Sequence, residues 1–174
     1  EASVGKPAKN VKIKIVNEMD DPKKNGEIFI KGENVIEKYW KNEEMDHNIQ
    51  NGWIKTSDMG HFDEDGYLYL TGRVDDMINV GGEKVFPNQI ESVVKRLDGI
   101  DEAVVIGISH DTFGEVAKLF VKKSQDSKIK ESDIMEHCIK NLERYKVPVS
   151  IRFIEDFPQT EYGKIKRYAL KDYK

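Results

Sequence analysis

Gly72 to Glu91 reads GRVDDMINVGGEKVFPNQIE, and the texture of the chain changes inside it. Gly72 to Asp76 has little apolar content, as expected of a linker or hinge between packed bodies. DMINVGGEKVF follows and predicts two short strands around a Gly81-Gly82 turn, where the lack of a Cβ lets the backbone bend tightly. Pro87 suits the first turn of a helix. Ile90, Val93, Val94 and Leu97 then recur at i, i+3, i+4 and i+7, one apolar helical face. Gly99 is placed to end that helix.

Upstream of this join the chain reads as short strands broken by turns. VKIKIV (Val11 to Val16) and EIFIKG (Glu27 to Gly32) alternate apolar and polar residues with period two. DDPKKNGE is a turn cluster between them. YWKNEEMD (Tyr39 to Asp46) is a short helix or loop. GWIKTSDMGHFDEDGYLYLTGR predicts a strand, a loop holding Thr56 to Asp58, an Asp65-Gly66 hairpin turn and a second strand.

Downstream, EAVVIGIS is a near-continuous apolar run, so a strand buried on both faces. EVAKLFVKK and SIRFIEDF are two more strands. KESDIMEHCIKNL is a helix capped by Ser132 or Asp133, with Ile134, Cys138, Ile139 and Leu142 facing inward. KRYALKDY is a terminal helix. The fold class expected is α+β: an all-β segment over 1–74, then from 75 to 174 a small α+β domain with a three-stranded sheet and helices.

Bulk properties narrow the function. The 174 residues carry 28 Lys and Arg against 32 Asp and Glu, a formal charge of −4. That balance argues against a broad nucleic-acid interface, which needs a basic field. The one cysteine, Cys138, allows no intrachain disulfide and fits a reducing compartment. No apolar run approaches the length of a membrane span, and the first residues hold no hydrophobic signal region. A cytoplasmic location is therefore expected. The sequence opens without methionine, as a fragment does.

Three polar runs stand out. Asp58 in TSD has the two acceptor oxygens that a ribose diol requires, and it is also a common turn former. Arg73 offers a planar fork for hydroxyls or phosphate, or else a surface ion pair beside a hairpin. The third run is PQTEYGKIKR, Pro158 to Arg167. It approaches the phosphate-loop pattern G-x-x-x-x-G-K-[ST], but Pro158 replaces the first glycine and Ile165 the Ser or Thr. The basic residues from Lys164 to Lys174 suit either a solvated helix end or attraction to phosphates. His47, His61, His110 and His137 are scattered, none at metal-ligand spacing with Cys138, and Cys138 lies on an apolar helix face as a core residue would.

In order and spacing, these runs resemble the late motifs of the adenylate-forming superfamily: acyl-CoA synthetases, nonribosomal adenylation domains and luciferases. GWIKTSD resembles the motif whose aspartate holds the ribose of ATP. GRVDDMINVGGEKVFPNQIE is similar to the hinge motif, and PQTEYGKIKR to the final motif with its lysine after glycine. GEIFIKGENVIEKYW and DEAVVIGISHDTFGEVAKLFV resemble the connecting segments, so the likeness covers nearly the whole chain. It implies that 1–74 is the tail of the large domain's β-barrel portion and 75–174 the mobile C-terminal domain.

What the resemblance implies for chemistry is an AMP-forming acid–thiol ligase. A carboxylate attacks the α-phosphate of ATP, and CoA then takes the acyl group. Asp58 and Arg73 would bind the nucleotide, Lys164 would be the catalytic lysine and Asp75 the hinge. Asn79, Gly81, Gly82 and Lys84 would form the loop that serves thioester formation. Several relatives have lysine at the position of Asn79, and arginine is commoner than Lys84. The partners implied are a small carboxylic acid, ATP with Mg2+, CoA and the upstream large domain. No metal ligand is assigned in these residues, because the phosphate loop and the magnesium-contacting motif belong upstream; the 174 residues alone are expected to be inactive. Two alternatives stand beside this: an adenylation domain loading a carrier protein, and a non-catalytic binding module. Lys164 also sits in the context where such lysines are acylated, a switch that would remove its charge.

Overall fold

A computed structural model describes residues 3–41 and 47–173 of the chain. The chain divides into two compact units, Glu1–Asp75 and Asp76–Lys174.

The first unit is one antiparallel sheet. Its strands are β1 (Val11–Val16), β2 (Gly26–Gly32), β3 (Ile49–Gln50), β4 (Trp53–Phe62) and β5 (Leu68–Arg73). The order runs β1-β2-β4-β3, with β5 also paired to β4. The alternation of VKIKIV and EIFIKG puts Ile15 and Ile28 on one face, where they form a small core with Leu68. Expectation and structure part at Thr56 to Asp58. These residues lie inside β4 rather than in a loop. Ser57 adopts φ +60 there, and the register between β4 and β5 shifts just beyond the run, between Met59 and Gly60. The bend that the polar run announces is thus an irregularity within a strand, not a break between strands. Of the stretch read as a short helix or loop, 42–46 lie outside the described residues.

The second unit is built on a five-stranded sheet, not three. Its strands are β6 (Ile78–Val80), β7 (Glu83–Val85), β8 (Ile100–His110), β9 (Gly114–Lys123) and β10 (Ser150–Phe153). β9 is central to the pairing: it meets β8 antiparallel along its length, β10 in parallel and β6 at Val80–Gly114. The glycine-turn hairpin β6–β7 joins the sheet through that single pairing, a long-range contact that local pattern does not reveal.

β8 reads as a continuous apolar run because both of its faces are covered. Ala103 and Val105 point into the main core with Ile90, Val94, Ile134 and Cys138 from two helices, α1 (Pro87–Val94) and α2 (Glu131–Asn141). Val104 and Ile106, on the other face, pack with Phe120, Phe157 and Leu170. The C-terminal segment is therefore the second cover of the sheet, fastened by an apolar side chain at 157 and another at 170.

Helix ends differ from expectation in detail. α1 stops at Val94, and Gly99 instead takes φ +87 in the turn before β8. α2 is capped at Lys130, whose backbone N–H donates to Asp133 Oδ2 at 2.9 Å, so Asp133 serves from inside the first turn. Ile139 is 62% exposed rather than inward. The terminal segment is a 3-10 helix, Arg167–Asp172, not an α-helix. In a 3-10 helix residues at i and i+3 eclipse, which puts Arg167 and Leu170 on one side, against the body of the unit.

Candidate functional site

The sequence-selected residues fall into three groups. Asp58 and Arg73 are directly opposed on β4 and β5. Arg73 Nη1 donates to Asp58 Oδ1 at 2.8 Å and Nη2 to Asp75 Oδ2 at 3.4 Å. The unusual backbone at Ser57 is what aims Asp58. Val74 N–H donates to the Ser57 carbonyl at 2.8 Å, and Asp58 N–H to Thr56 Oγ1 at 3.1 Å. Thr56 is itself tied to the Ile28 carbonyl at 2.9 Å. Both charged side chains stay substantially exposed, 48% for Arg73 and 36% for Asp58. An ion pair so exposed contributes little stability, up to about 1 kcal/mol. What it offers instead is an oriented carboxylate with open lone pairs beside a guanidinium, a donor and acceptor set that fits a vicinal diol.

The second group is the glycine turn. Asn79 and Lys84 pair across β6 and β7, and Gly81 and Gly82 close the turn with φ +61 and φ +98. The Asn79 side chain braces the turn from within, its Oδ1 accepting the Gly82 N–H at 2.9 Å. Gly81 N–H donates to the Phe113 carbonyl at 2.9 Å, and Asn79 N–H to Glu115 Oε2 at 3.0 Å. Sequence reading missed Glu115 and Phe113, which sit in and beside the β8–β9 turn. Beside Gly81 opens a pocket of about 630 Å3, its wall including Val80, Phe113, Arg144, Tyr145 and Val147. It joins aromatic and aliphatic surface to one guanidinium.

The third group is the turn that carries Lys164. Thr160 N–H donates to the Lys164 carbonyl and Lys166 N–H to that of Pro158, both at 2.8 Å. Gly163 takes φ +78 at the bend, and Lys164 N–H donates to Thr160 Oγ1 at 3.1 Å. Lys164 is exposed. Among the described residues its ammonium makes no hydrogen bond or ion pair. Proline at 158 contributes a carbonyl to this turn, and the N–H groups of Thr160, Gly163, Lys164 and Lys166 are spent within it, not open to a phosphate.

Beneath that turn is a feature that motif reading did not supply. Arg167 donates through Nη1 to Glu91 Oε1 at 2.5 Å and through Nη2 to Oε2 at 3.0 Å. Nη1 also reaches the Val105 carbonyl at 2.8 Å, and Glu91 Oε1 accepts the Val105 N–H at 2.8 Å. Asp76 lies 3.6 Å from Arg167 Nε. Burial opposes the charge of Arg167, but the Glu91 hydrogen bonds and charge, with Asp76 and Glu102 adding, outweigh it and raise the guanidinium above its ordinary pKa. The available signal was Glu91 itself: an acid one position after Ile90 and three before Val94, within the buried face of α1, demands a cation.

Cys138 is fully buried, and that burial pushes its thiol up to about 11. It is a core residue and not a nucleophile. Among the described residues no three His, Cys, Asp or Glu cluster to hold a metal ion, and no helix is long and apolar enough to cross a membrane.

The fold matches that of adenylate-forming enzymes in their C-terminal portion. Residues 89–164 match the AMP-binding enzyme C-terminal domain. The chain is 35% identical over 176 residues to a putative acyl-CoA ligase, YdaB, of Bacillus subtilis, covering 98% of this chain and 35% of that protein. It is 38% identical over 170 residues to the 2-succinylbenzoate-CoA ligase of Staphylococcus epidermidis, covering 97% of this chain and 35% of the ligase. The o-succinylbenzoate CoA synthetase of B. subtilis, solved with its acyl-adenylate intermediate, superposes with a TM-score of 0.90 at 32% identity, covering 98% of this chain and 35% of that one. The same synthetase has also been solved with ATP and a magnesium ion. The chain thus belongs with the C-terminal portion of the AMP-binding enzymes, and it spans about a third of the length of the curated relatives it matches.

Proposed function

We propose that the parent protein is an AMP-forming acid–thiol ligase and that this chain supplies its ribose contact, its hinge and its mobile C-terminal domain. The observation that carries the reading is the exposed Lys164 ammonium, without a partner among the described residues, on a closed turn. An exposed lysine needs no such scaffold unless its position matters.

In the first half-reaction an oxygen of the substrate carboxylate attacks the α-phosphorus of ATP, and pyrophosphate leaves. Two anions must meet, and Lys164 offsets the repulsion while orienting the attacking oxygen. Asp58 accepts hydrogen bonds from the ribose hydroxyls, with Arg73 holding its carboxylate in place. Mg2+ accompanies ATP and is held by residues upstream of this chain.

In the second half-reaction the CoA sulfur attacks the acyl carbon and AMP leaves. Rotation about Asp75 exchanges the Lys164 turn for the Asn79–Lys84 turn, as hinges do through a few backbone dihedrals. Gly81 and Gly82 leave room for the thin pantetheine arm. The pocket beside Gly81 supports CoA as the acceptor: Tyr145 and Phe113 suit the face of a base, and Arg144 a phosphate.

The test is acid-dependent ATP–pyrophosphate exchange by the full-length parent, over a panel of carboxylic acids. Exchange with at least one acid is expected, and release of AMP only when CoA is added. No exchange with any acid would remove the reading.

A further inference from the structure

Among the described residues the Lys164 turn makes no hydrogen bond to the sheet, and within it Ile165 packs, partly buried, against the core under β8, an apolar contact that does not fix orientation. The lysine side chain is a long, flexible stem, and the turn's backbone hydrogen bonds close only on themselves. Something else must set where the ammonium stands. Three residues beyond Lys164, Arg167 enters the body of the unit and meets Glu91 in a two-point fork, with the Val105 peptide bonded to both partners. Glu91 is 7% exposed. A bidentate guanidinium–carboxylate contact fixes orientation as well as distance, which a lysine or an apolar side chain at 167 cannot do.

We propose that Glu91 and Arg167 are a positioning pair for Lys164, and that this, not stability, is their main contribution. The reasoning turns on what a buried ion pair is good for. Its Coulomb attraction roughly offsets the cost of desolvating both charges, and apolar replacements of similar volume often fold as well. The segment is already fastened by Phe157 and Leu170, both buried in the core under β8, and by Ile165, partly buried against it. Adhesion therefore does not require the pair. Register does: apolar side chains slide, whereas the fork admits one arrangement. A displacement of about 1 Å in a positioned catalytic group can cost about a hundredfold in rate. Asp76, the first residue of the unit, stands 3.6 Å from Arg167 Nε. The same guanidinium is thereby in reach of the segment that follows the hinge.

The inference rests on Lys164 serving adenylation in the parent enzyme. The experiment uses the full-length parent and the acid found by pyrophosphate exchange. Four proteins are compared: wild type, Arg167→Lys, Arg167→Met, and the double variant Glu91→Leu with Arg167→Met, which removes the whole charge pair. Acyl-adenylate formation and CoA thioester formation from supplied acyl-adenylate are measured separately, with thermal midpoints alongside.

All three variants are expected to lose about 10- to 100-fold in kcat for adenylation, with KM for ATP nearly unchanged and thioester formation within about threefold of wild type. The double variant should melt at or above the midpoint of Arg167→Met and still be slow. Recovery of adenylation in the double variant would overturn the proposal, because register would then not need the fork. So would equal loss of both half-reactions, or activities that simply track the midpoints. If wild type makes no adenylate from any acid, it is the ligase reading that falls.

Discussion

The Lys164 turn and the Gly81–Gly82 turn both present exposed residues from the same unit, yet they are held differently. Below the lysine lie a charged fork, Arg167 on Glu91, and apolar anchors at Phe157 and Leu170 on either side. The glycine turn ends a hairpin whose strands have three residues each. It is held by two neutral hydrogen bonds, from Gly81 to the Phe113 carbonyl and from Gly82 to Asn79, and by Glu115 on the Asn79 N–H. The difference suits the two tasks proposed. An ammonium acts through the place of one charge, so its base must not shift. A passage for a thiol arm acts through backbone shape, which the two glycines and the short bonds around them define.

If that division holds, the two half-reactions can be damaged one at a time. The largest effect is expected from Lys164→Ala in the parent enzyme. Removing one preorganised stabiliser of transition-state charge typically costs about 10²- to 10³-fold. Adenylate formation should fall by that much, while thioester formation from supplied acyl-adenylate stays near wild type. Equal loss of both, measured in single turnover, would erase the contrast between the turns.

The next effect is expected at the boundary between the two units. Proline restricts φ to near −65°, so Asp75→Pro should stop the exchange of one turn for the other. A drop of about 10- to 100-fold in thioester formation is expected, with the adenylation burst retained. Unchanged turnover would mean that Asp75 is not where the chain bends.

How far the sequence could foretell this follows the range of the interactions. β8 was legible because a strand covered on both faces must be apolar throughout, and its two covers are what the two cores show. The β6–β7 hairpin was legible too, from its glycine pair, but not its membership of the sheet, which hangs on Val80 meeting Gly114. The run TSD announced a special backbone, and composition could not tell a loop from a bent strand. Asp58, Arg73 and Asp75 were each named from the chain, and only the cross-strand register shows them as one cluster. Arg167 is the clearest omission. A charge near the end of a basic stretch looks solvated until its partner, 76 positions earlier, is known to be buried.

The smallest effect bears on Asn79, where several relatives are expected to carry lysine. Its role here is readable from geometry: the side-chain oxygen holds the Gly82 N–H at 2.9 Å. A hydrogen bond of this kind contributes about 0.5–1.5 kcal/mol net, equivalent to a few-fold up to about tenfold if the turn must be formed for the thiol to pass. Asn79→Ala should therefore slow thioester formation by that factor and adenylation much less. Asn79→Asp keeps an acceptor at the same reach but sets a second carboxylate near Glu115, so its rate should fall between Ala and wild type. A lysine at 79 has donors only and cannot hold Gly82 in this way. If Asn79→Lys nevertheless matches wild type in thioester formation, the turn does not depend on its internal brace. The contrast with the anchored Lys164 turn would then be sharper still, because the glycine turn would need only its two glycines and the Phe113 carbonyl.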